Sequence, residues 1–151
     1  LAAVEEKREL IMLVRLMYAS RAVPAVDQEE LIAILKKSKV NNAKGGVSGA
    51  LCFSEGVFRQ GLEGGRTAVS KLYNRIASDA RHTDVVLLNF DEIDERRFSG
   101  WSMGQVNMQR LNPALLLKYS ECAKLDPYAV SGKVSMALFE EMVATAAIMG
   151  Q

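Results

Sequence analysis

Hydrophobic and polar positions over residues 11–20 alternate at a period of two. Val14, Leu16, Tyr18 and Ser20 fall on one face, and Leu13, Arg15, Met17 and Ala19 on the other, which predicts a strand. Beyond Pro24 the period lengthens. Asp27-Gln28-Glu29-Glu30 offers an Asp N-cap with Glu three residues on, and Leu31, Ile34, Leu35 and Ser38 follow at helical spacing, predicting a helix that ends near Asn42. Residues 47–54 and 57–63 return to strand character around Glu55-Gly56, a hairpin. Gly64-Gly65-Arg66-Thr67 then breaks the sheet and caps a second helix, whose stripe is Val69, Leu72, Tyr73 and Ile76 and whose end lies near Asp79. The unbroken apolar run at 85–90 predicts a central strand buried on both faces. A charged connection leads to residues 98–108, where Trp101 and Met103, two apart, are expected on one face of a fifth strand. Short helical pieces follow Pro113. Val134, Leu138, Met142, Ala146 and Met149 share one stripe, predicting a final amphipathic helix that packs on its own domain or on a partner. Residues 1–10 are a polar, helix-compatible lead-in.

The order βαββαββ followed by helices predicts an α+β fold on the split-βαβ, ferredoxin-like plan. Two helices cover one face of the sheet and the C-terminal helices cap the other. That plan hosts many activities and by itself names none.

Composition narrows the classes. A chain of 151 residues, 49% hydrophobic, suits one domain with an appended element. A net charge of +1 gives no electrostatic case for nucleic acid or an anionic membrane. No apolar run approaches the ~20 residues that span a bilayer, and the charged opening LAAVEEKREL does not read as a signal peptide. Cys52 and Cys122 make neither a disulfide framework nor a metal cluster, so a reducing cytoplasm is expected.

The candidate chemistry lies around residues 57–64, Val-Phe-Arg-Gln-Gly-Leu-Glu-Gly. Gln60 shares a strand face with Phe58 and Leu62 and is aimed at the core. A buried amide needs partners for its carbonyl and its N–H bonds, at a cost of about 1–3 kcal/mol per unsatisfied group. Protein, water or a ligand must meet it. Tyr18 puts a phenol at the end of an apolar strand face, which a core tyrosine bonded to a carbonyl would equally explain. One of Asn41 and Asn42 is explained by C-capping before Gly45-Gly46; the second amide is left over. His82 suits a surface or capping position as well as a ligand. Gly64-Gly65 lacks the Lys-Ser/Thr of a phosphate loop. Arg59 and Gly61 lie on the sheet face opposite Gln60, and Gly61 is expected to loosen the strand.

These residues resemble a known pattern. Arg15-Leu16-Met17-Tyr18-Ala19-Ser20, Asn41-Asn42 with Gly46-Val47-Ser48-Gly49, residues 56–64, Asp79-Ala80-Arg81-His82 and Phe98-Ser99-Gly100-Trp101-Ser102-Met103 are similar to the BLUF family of flavin photoreceptors. The match runs from about Val14 to Met108, in five motifs. The tail Leu117-Lys118-Tyr119-Ser120 is similar to that of the short, stand-alone members. The resemblance implies a flavin-binding domain at 11–108 and a helical cap or output segment at 109–151.

It also implies FAD, bound non-covalently between the two helices. Gln60 would bond the flavin N5 or O4 and the Tyr18 hydroxyl, Asn42 the O4/N3 edge, and Asn41 the pyrimidine side. Ser38 would lie near that edge, Ile34 and Ile76 would sandwich the ring, and Arg81 and His82 would contact the pyrimidine or phosphate side. Light would move an electron and a proton from Tyr18 to the flavin, and Gln60 would rotate or tautomerise, giving a small reversible red shift. Trp101 and Met103 would relay the change to the C-terminal helices. Nothing is turned over, and the tail carries no cyclase, phosphodiesterase or phosphatase motif, so output is expected through a downstream partner protein, a change of homo-oligomeric assembly or a further domain. A flavin-dependent oxidoreductase is the alternative, disfavoured by the lack of a G-x-G-x-x-G after a strand. A ferredoxin-like RNA binder is a third, against which the charge balance speaks.

Overall fold

A computed structural model describes residues 12–149 apart from 25, 123, 125, 146 and 147. The lead-in at 1–10, Ile11 and Ala146 lie outside the described residues. Strand β1 (Leu13–Ala22) is followed by helix α1 (Gln28–Gly45), β2 (Ser48–Ser54), β3 (Val57–Gly65), α2 (Arg66–Ala77), β4 (His82–Ile93) and β5 (Gly104–Val106). A 3₁₀ turn (Met108–Arg110), α3 (Pro113–Leu117), α4 (Gly132–Thr145) and β6 (Ile148–Met149) complete the chain. The sheet order is β4-β1-β3-β2-β5-β6. β3 lies antiparallel between β1 and β2, the split-βαβ arrangement expected from the element order.

Local chemistry sets these boundaries. The Asp27 side chain accepts from the Glu30 amide at 2.8 Å, satisfying one free N–H of the first turn of α1. Gly46, at φ 69°, ends that helix in the left-handed region, where glycine carries no Cβ penalty. Asn42 is therefore inside α1, not its cap. The hairpin turns through Glu55 and Gly56, both at positive φ, as a two-residue primed turn requires. Gly64 and Gly65 do not break the sheet: β3 runs through them directly into α2, whose first turn has no side-chain cap.

Two cores flank the sheet. On the α1/α2 side Val14, Leu16, Leu31, Leu35, Leu51, Leu62 and Val69 pack together. On the other side Met17, Ala50, Cys52, Phe98 and Val106 meet Met136, Leu138, Phe139 and Met142 of α4. Two helices on one face and a C-terminal cap on the other are as expected.

Several elements differ from the expectation. The apolar run at 85–90 belongs to an edge strand, not a central one, and Val86, Leu87 and Phe90 are 39%, 47% and 40% exposed. Residues 98–103 are not strand; β5 begins at Gly104 and pairs with β2 through two residues, Gly104 and Gln105. Trp101 consequently joins the α4-side core and Met103 the α1/α2-side core. α4 stops at Thr145, and Met149 lies in β6, paired with Gln105. Gly61 does not loosen β3. A Cβ there would stand 2.9 Å from Phe139 Cε1 and 3.1 Å from Phe98 Cε2, so two rings pack directly on its bare backbone.

Candidate functional site

Strand registry places Tyr18 opposite Gln60 on adjacent β1 and β3, on the face covered by α1 and α2. Both are buried, at 4% and 6% exposure. The Tyr18 hydroxyl donates to Gln60 Oε1, and Gln60 Nε2 donates to Met103 Sδ at 3.4 Å. A thioether is a weak acceptor, so the amide N–H meets a poor partner. Burial pushes the Tyr18 phenol well above its usual pKa, with Tyr73 and Asp79 adding to the rise; the hydroxyl keeps its proton at neutral pH.

These side chains floor an open cleft between α1 and α2, lined mainly by apolar side chains with a few polar groups among them, as small-molecule sites are. Ile34, Leu35, Ser38 and Asn42 of α1 form one wall, and Leu72 and Ile76 of α2 the other. Asn42 Nδ2 donates to the Ser102 carbonyl at 2.9 Å, tying the end of α1 to the connection that carries Met103. Leu51 and Phe58 complete the apolar floor.

The mouth is polar. Asp79 accepts from the Arg81 amide and Nε at 2.9 Å each, and from Nη2 at 2.5 Å. Arg81 Nη1 also stands 3.6 Å from Glu30 at the start of α1. His82 Nε2 is 2.6 Å from the Ile76 carbonyl and Nδ1 is 2.8 Å from Ser20 Oγ. A carbonyl only accepts, so Nε2 carries a ring proton. The Arg81 hydrogen bonds pull Asp79 from 3.8 to about 2. With the folded value depressed, the contribution to stability is complete above the free carboxylate value and is lost as pH falls from 3.8 to about 2. Solvent screening at a side chain 32% exposed keeps it to a fraction of the ~2 kcal/mol the whole shift would carry. Urea midpoints measured across that range should fall more steeply with acid in the unaltered chain than in Asp79→Asn.

The structure thus brings Tyr18, Ile34, Ser38, Asn42, Gln60, Ile76, Arg81, His82 and Met103 around one cleft. It does not bring Asn41 or Trp101 to it. Asn41 is exposed on α1, and Trp101 stacks on Phe98 across the sheet, centroids 6.4 Å apart at 17°. Leu35, Leu51, Phe58, Leu72 and Asp79 also line the cleft, although the sequence pattern does not mark them as site residues. Leu35 and Leu72 lie on the two helix stripes, and Phe58 on the Gln60 face, so the periodicity held the signal for them.

Residues 13–104 match the family described as BLUF, sensors of blue-light using FAD. The chain belongs to the BLUF family. A photoactivated adenylate cyclase subunit beta of Euglena longa is 34% identical over 100 residues, which are 66% of this chain and 12% of that protein. The chain therefore spans about an eighth of the length of that relative. Among solved structures, "BlsA photo-activated state" superposes with a TM-score of 0.77 at 29% identity, covering 87% of this chain and 95% of the other. The BLUF protein BlrB in its dark state gives 0.75 at 30% identity, with 89% and 97% covered. The BLUF module is photosensory and its cofactor is FAD; that description gives the oxidoreductase alternative no support.

Proposed function

We propose that this chain is a blue-light switch in which FAD lies in the cleft between α1 and α2 and the Tyr18–Gln60–Met103 chain of hydrogen bonds is the moving part. That chain is the observation on which the reading rests. The cleft fits such a cofactor: apolar walls accept a flat ring, and a buried amide with a weak partner offers its edge a better one. In this reading Gln60 and Asn42 hold the polar edge, with Ser38 beside them. Ile34 and Ile76 sandwich the ring, and Arg81 and His82 serve the outer part.

Bound FAD supplies the blue-light absorption and the electron-accepting capacity. Tyr18 then gives up an electron, and its proton leaves along the existing hydrogen bond to Gln60 Oε1. Both return to Tyr18, but the amide of Gln60 has turned or tautomerised. In the turned amide Oε1 takes the place from which Nε2 pointed at Met103 Sδ, an acceptor then faces an acceptor, and Met103 is pushed from its place. One or two buried hydrogen bonds are worth ~1–3 kcal/mol, enough to bias a two-state element about ten-fold or more.

Met103 immediately precedes β5, and through that strand the signal reaches the segment at 109–151, which we treat as the output segment of the sensor at 11–108. The recipient is a downstream protein partner in the cytoplasm, or a homo-oligomer whose assembly changes. Two free thiols, Cys52 and Cys122, support a reducing compartment. Absorption spectra of the FAD-loaded chain, dark and illuminated, test the switch. A small red shift that reverts in the dark is expected, and an unchanged spectrum overturns the proposal. Placement on opposite faces separates the two relay candidates. Met103→Leu removes the sulfur that receives the Gln60 N–H and should change the dark-recovery rate by about ten-fold, the kinetic equivalent of ~1.4 kcal/mol. Trp101→Phe should leave recovery within about two-fold, since less than ~0.5 kcal/mol at the cleft is at stake.

A further inference from the structure

The sheet face away from the cleft carries a second polar system, centred on Glu63. This side chain has no exposure at all. It sits three residues beyond Gln60 on β3, and its carboxylate accepts from four directions. Arg15 of β1 donates through Nε at 2.8 Å and also lies with Nη2 at 2.7 Å. The backbone amides of Arg97 and Phe98 donate at 2.9 and 2.6 Å. One carboxylate therefore pins the start of the connection whose far end, Met103, meets Gln60. The connection is held on β3 at both ends, once from each side of the sheet.

The same cluster holds the cap. Glu140 of α4 stands 2.9 Å from Arg97 Nη1 and 4.0 Å from Arg15 Nη1, so both cations placed by Glu63 also grip α4. Phe98 meets Phe139 of α4 edge to face, centroids 5.8 Å apart, and both rings rest on Gly61, next to Gln60. The Arg15 guanidinium lies 5.9 Å from the Phe98 ring centre. A buried ion pair is often replaceable by apolar packing without loss of stability. What it supplies that apolar packing does not is a discrete set of partners, and hence two distinguishable arrangements.

We infer that Glu63 is a positioning residue for output, the pivot about which displacement of Met103 is turned into displacement of α4 through Arg15, Arg97 and Glu140. The inference rests on the flavin-site reading above. When Met103 moves, the segment 98–103 swings about its anchor at 97–98, and the arginines carry the motion to Glu140. This route runs through β3 and β1 and does not require β5.

The test uses the FAD-loaded full chain, Glu63→Gln, Glu140→Gln and the double variant. Two readouts are taken on each: the light-induced absorption shift, and the light-minus-dark difference in amide hydrogen exchange over residues 132–145. The absorption shift is expected to persist in all three variants, because no altered group touches the cleft. The exchange difference at α4 is expected to fall about ten-fold in each single variant, within the usual range of coupling between sites. The double variant should fall no further, since two links of one chain are non-additive where two independent packing losses would add. Should Glu63→Gln fail to fold, Glu140→Gln, altered at the partly exposed end of the cluster, decides alone. An α4 difference that survives in Glu140→Gln overturns the pivot. So does an unaltered chain whose absorption shifts while α4 exchange stays the same, and that result leaves the flavin site standing. No absorption shift in the unaltered chain removes the flavin site and the pivot together.

Discussion

Tyr18→Phe should bind FAD, remain yellow and lose the light-induced red shift. The substitution deletes one oxygen and keeps the ring that packs against Tyr73 and His82, at 5.8 and 6.3 Å between centroids. It removes the hydroxyl that donates to Gln60 Oε1, leaving a buried acceptor short of a partner at a cost of about 1–2 kcal/mol. That is too little to unfold a domain of ordinary stability, so binding and switching should separate. Phenylalanine has no ionisable proton and is far harder to oxidise, so neither the electron nor the proton is available from this position. Gln60→Leu should behave alike for a different reason: a donor remains, but nothing bridges it to Met103. Difference spectra before and after blue light read both variants. A normal shift in Tyr18→Phe would remove Tyr18 as the donor, and normal cycling of Gln60→Leu would remove the bridge.

The second large effect is on stability. Glu63→Ala leaves Arg15, whose side chain is 10% exposed, without its closest carboxylate, and it takes the acceptor from the amides of Arg97 and Phe98. Stranding one half of a buried ion pair costs roughly 3–5 kcal/mol, a large share of the 5–15 kcal/mol or so that holds a typical domain together. Glu63→Gln, which still offers a carbonyl oxygen, should cost about 1–3 kcal/mol. Urea denaturation followed by far-UV circular dichroism gives both values. An Ala variant as stable as the unaltered chain would mean that water or another acceptor takes over the role of the carboxylate.

What is legible in the sequence is local. Alternation along residues 13–20 marks β1 and puts Tyr18 and Arg15 on opposite faces, as observed. Asp27 marks the start of α1, and Glu55-Gly56 the hairpin. The core-facing amide of Gln60 singles out the site by pattern alone, because an apolar strand face has no use for four hydrogen-bonding sites. What is not legible depends on neighbours distant in the chain. The run at 85–90 is as apolar as an internal strand, yet β4 is an edge; period and composition report burial above and below a sheet, not what lies beside it. Trp101 and Met103 obey a period of two only inside a strand, and residues 98–103 leave the strand conformation, with the Trp101 amide bonded back to the Phe98 carbonyl at 3.0 Å. Gly61 reads as a weakness in β3 because its reason, the ring of Phe139, comes from the last helix. Asn42 resembles a cap because Asn is common there, but α1 runs on to Gly45 and the Asn42 amide reaches across to Ser102.

The bond between Gln60 and Met103 joins two bodies of very different stiffness. Gln60 rides on β3, braced by a long ladder on either side. Met103 precedes a three-residue strand fastened to β2 at two positions. When a tie between an anvil and a reed is cut or reversed, the reed deflects. In the proposed switch the compliance of this segment, more than the strength of any one bond, would let the disturbance move Met103 while the floor of the cleft keeps its shape for the next photon.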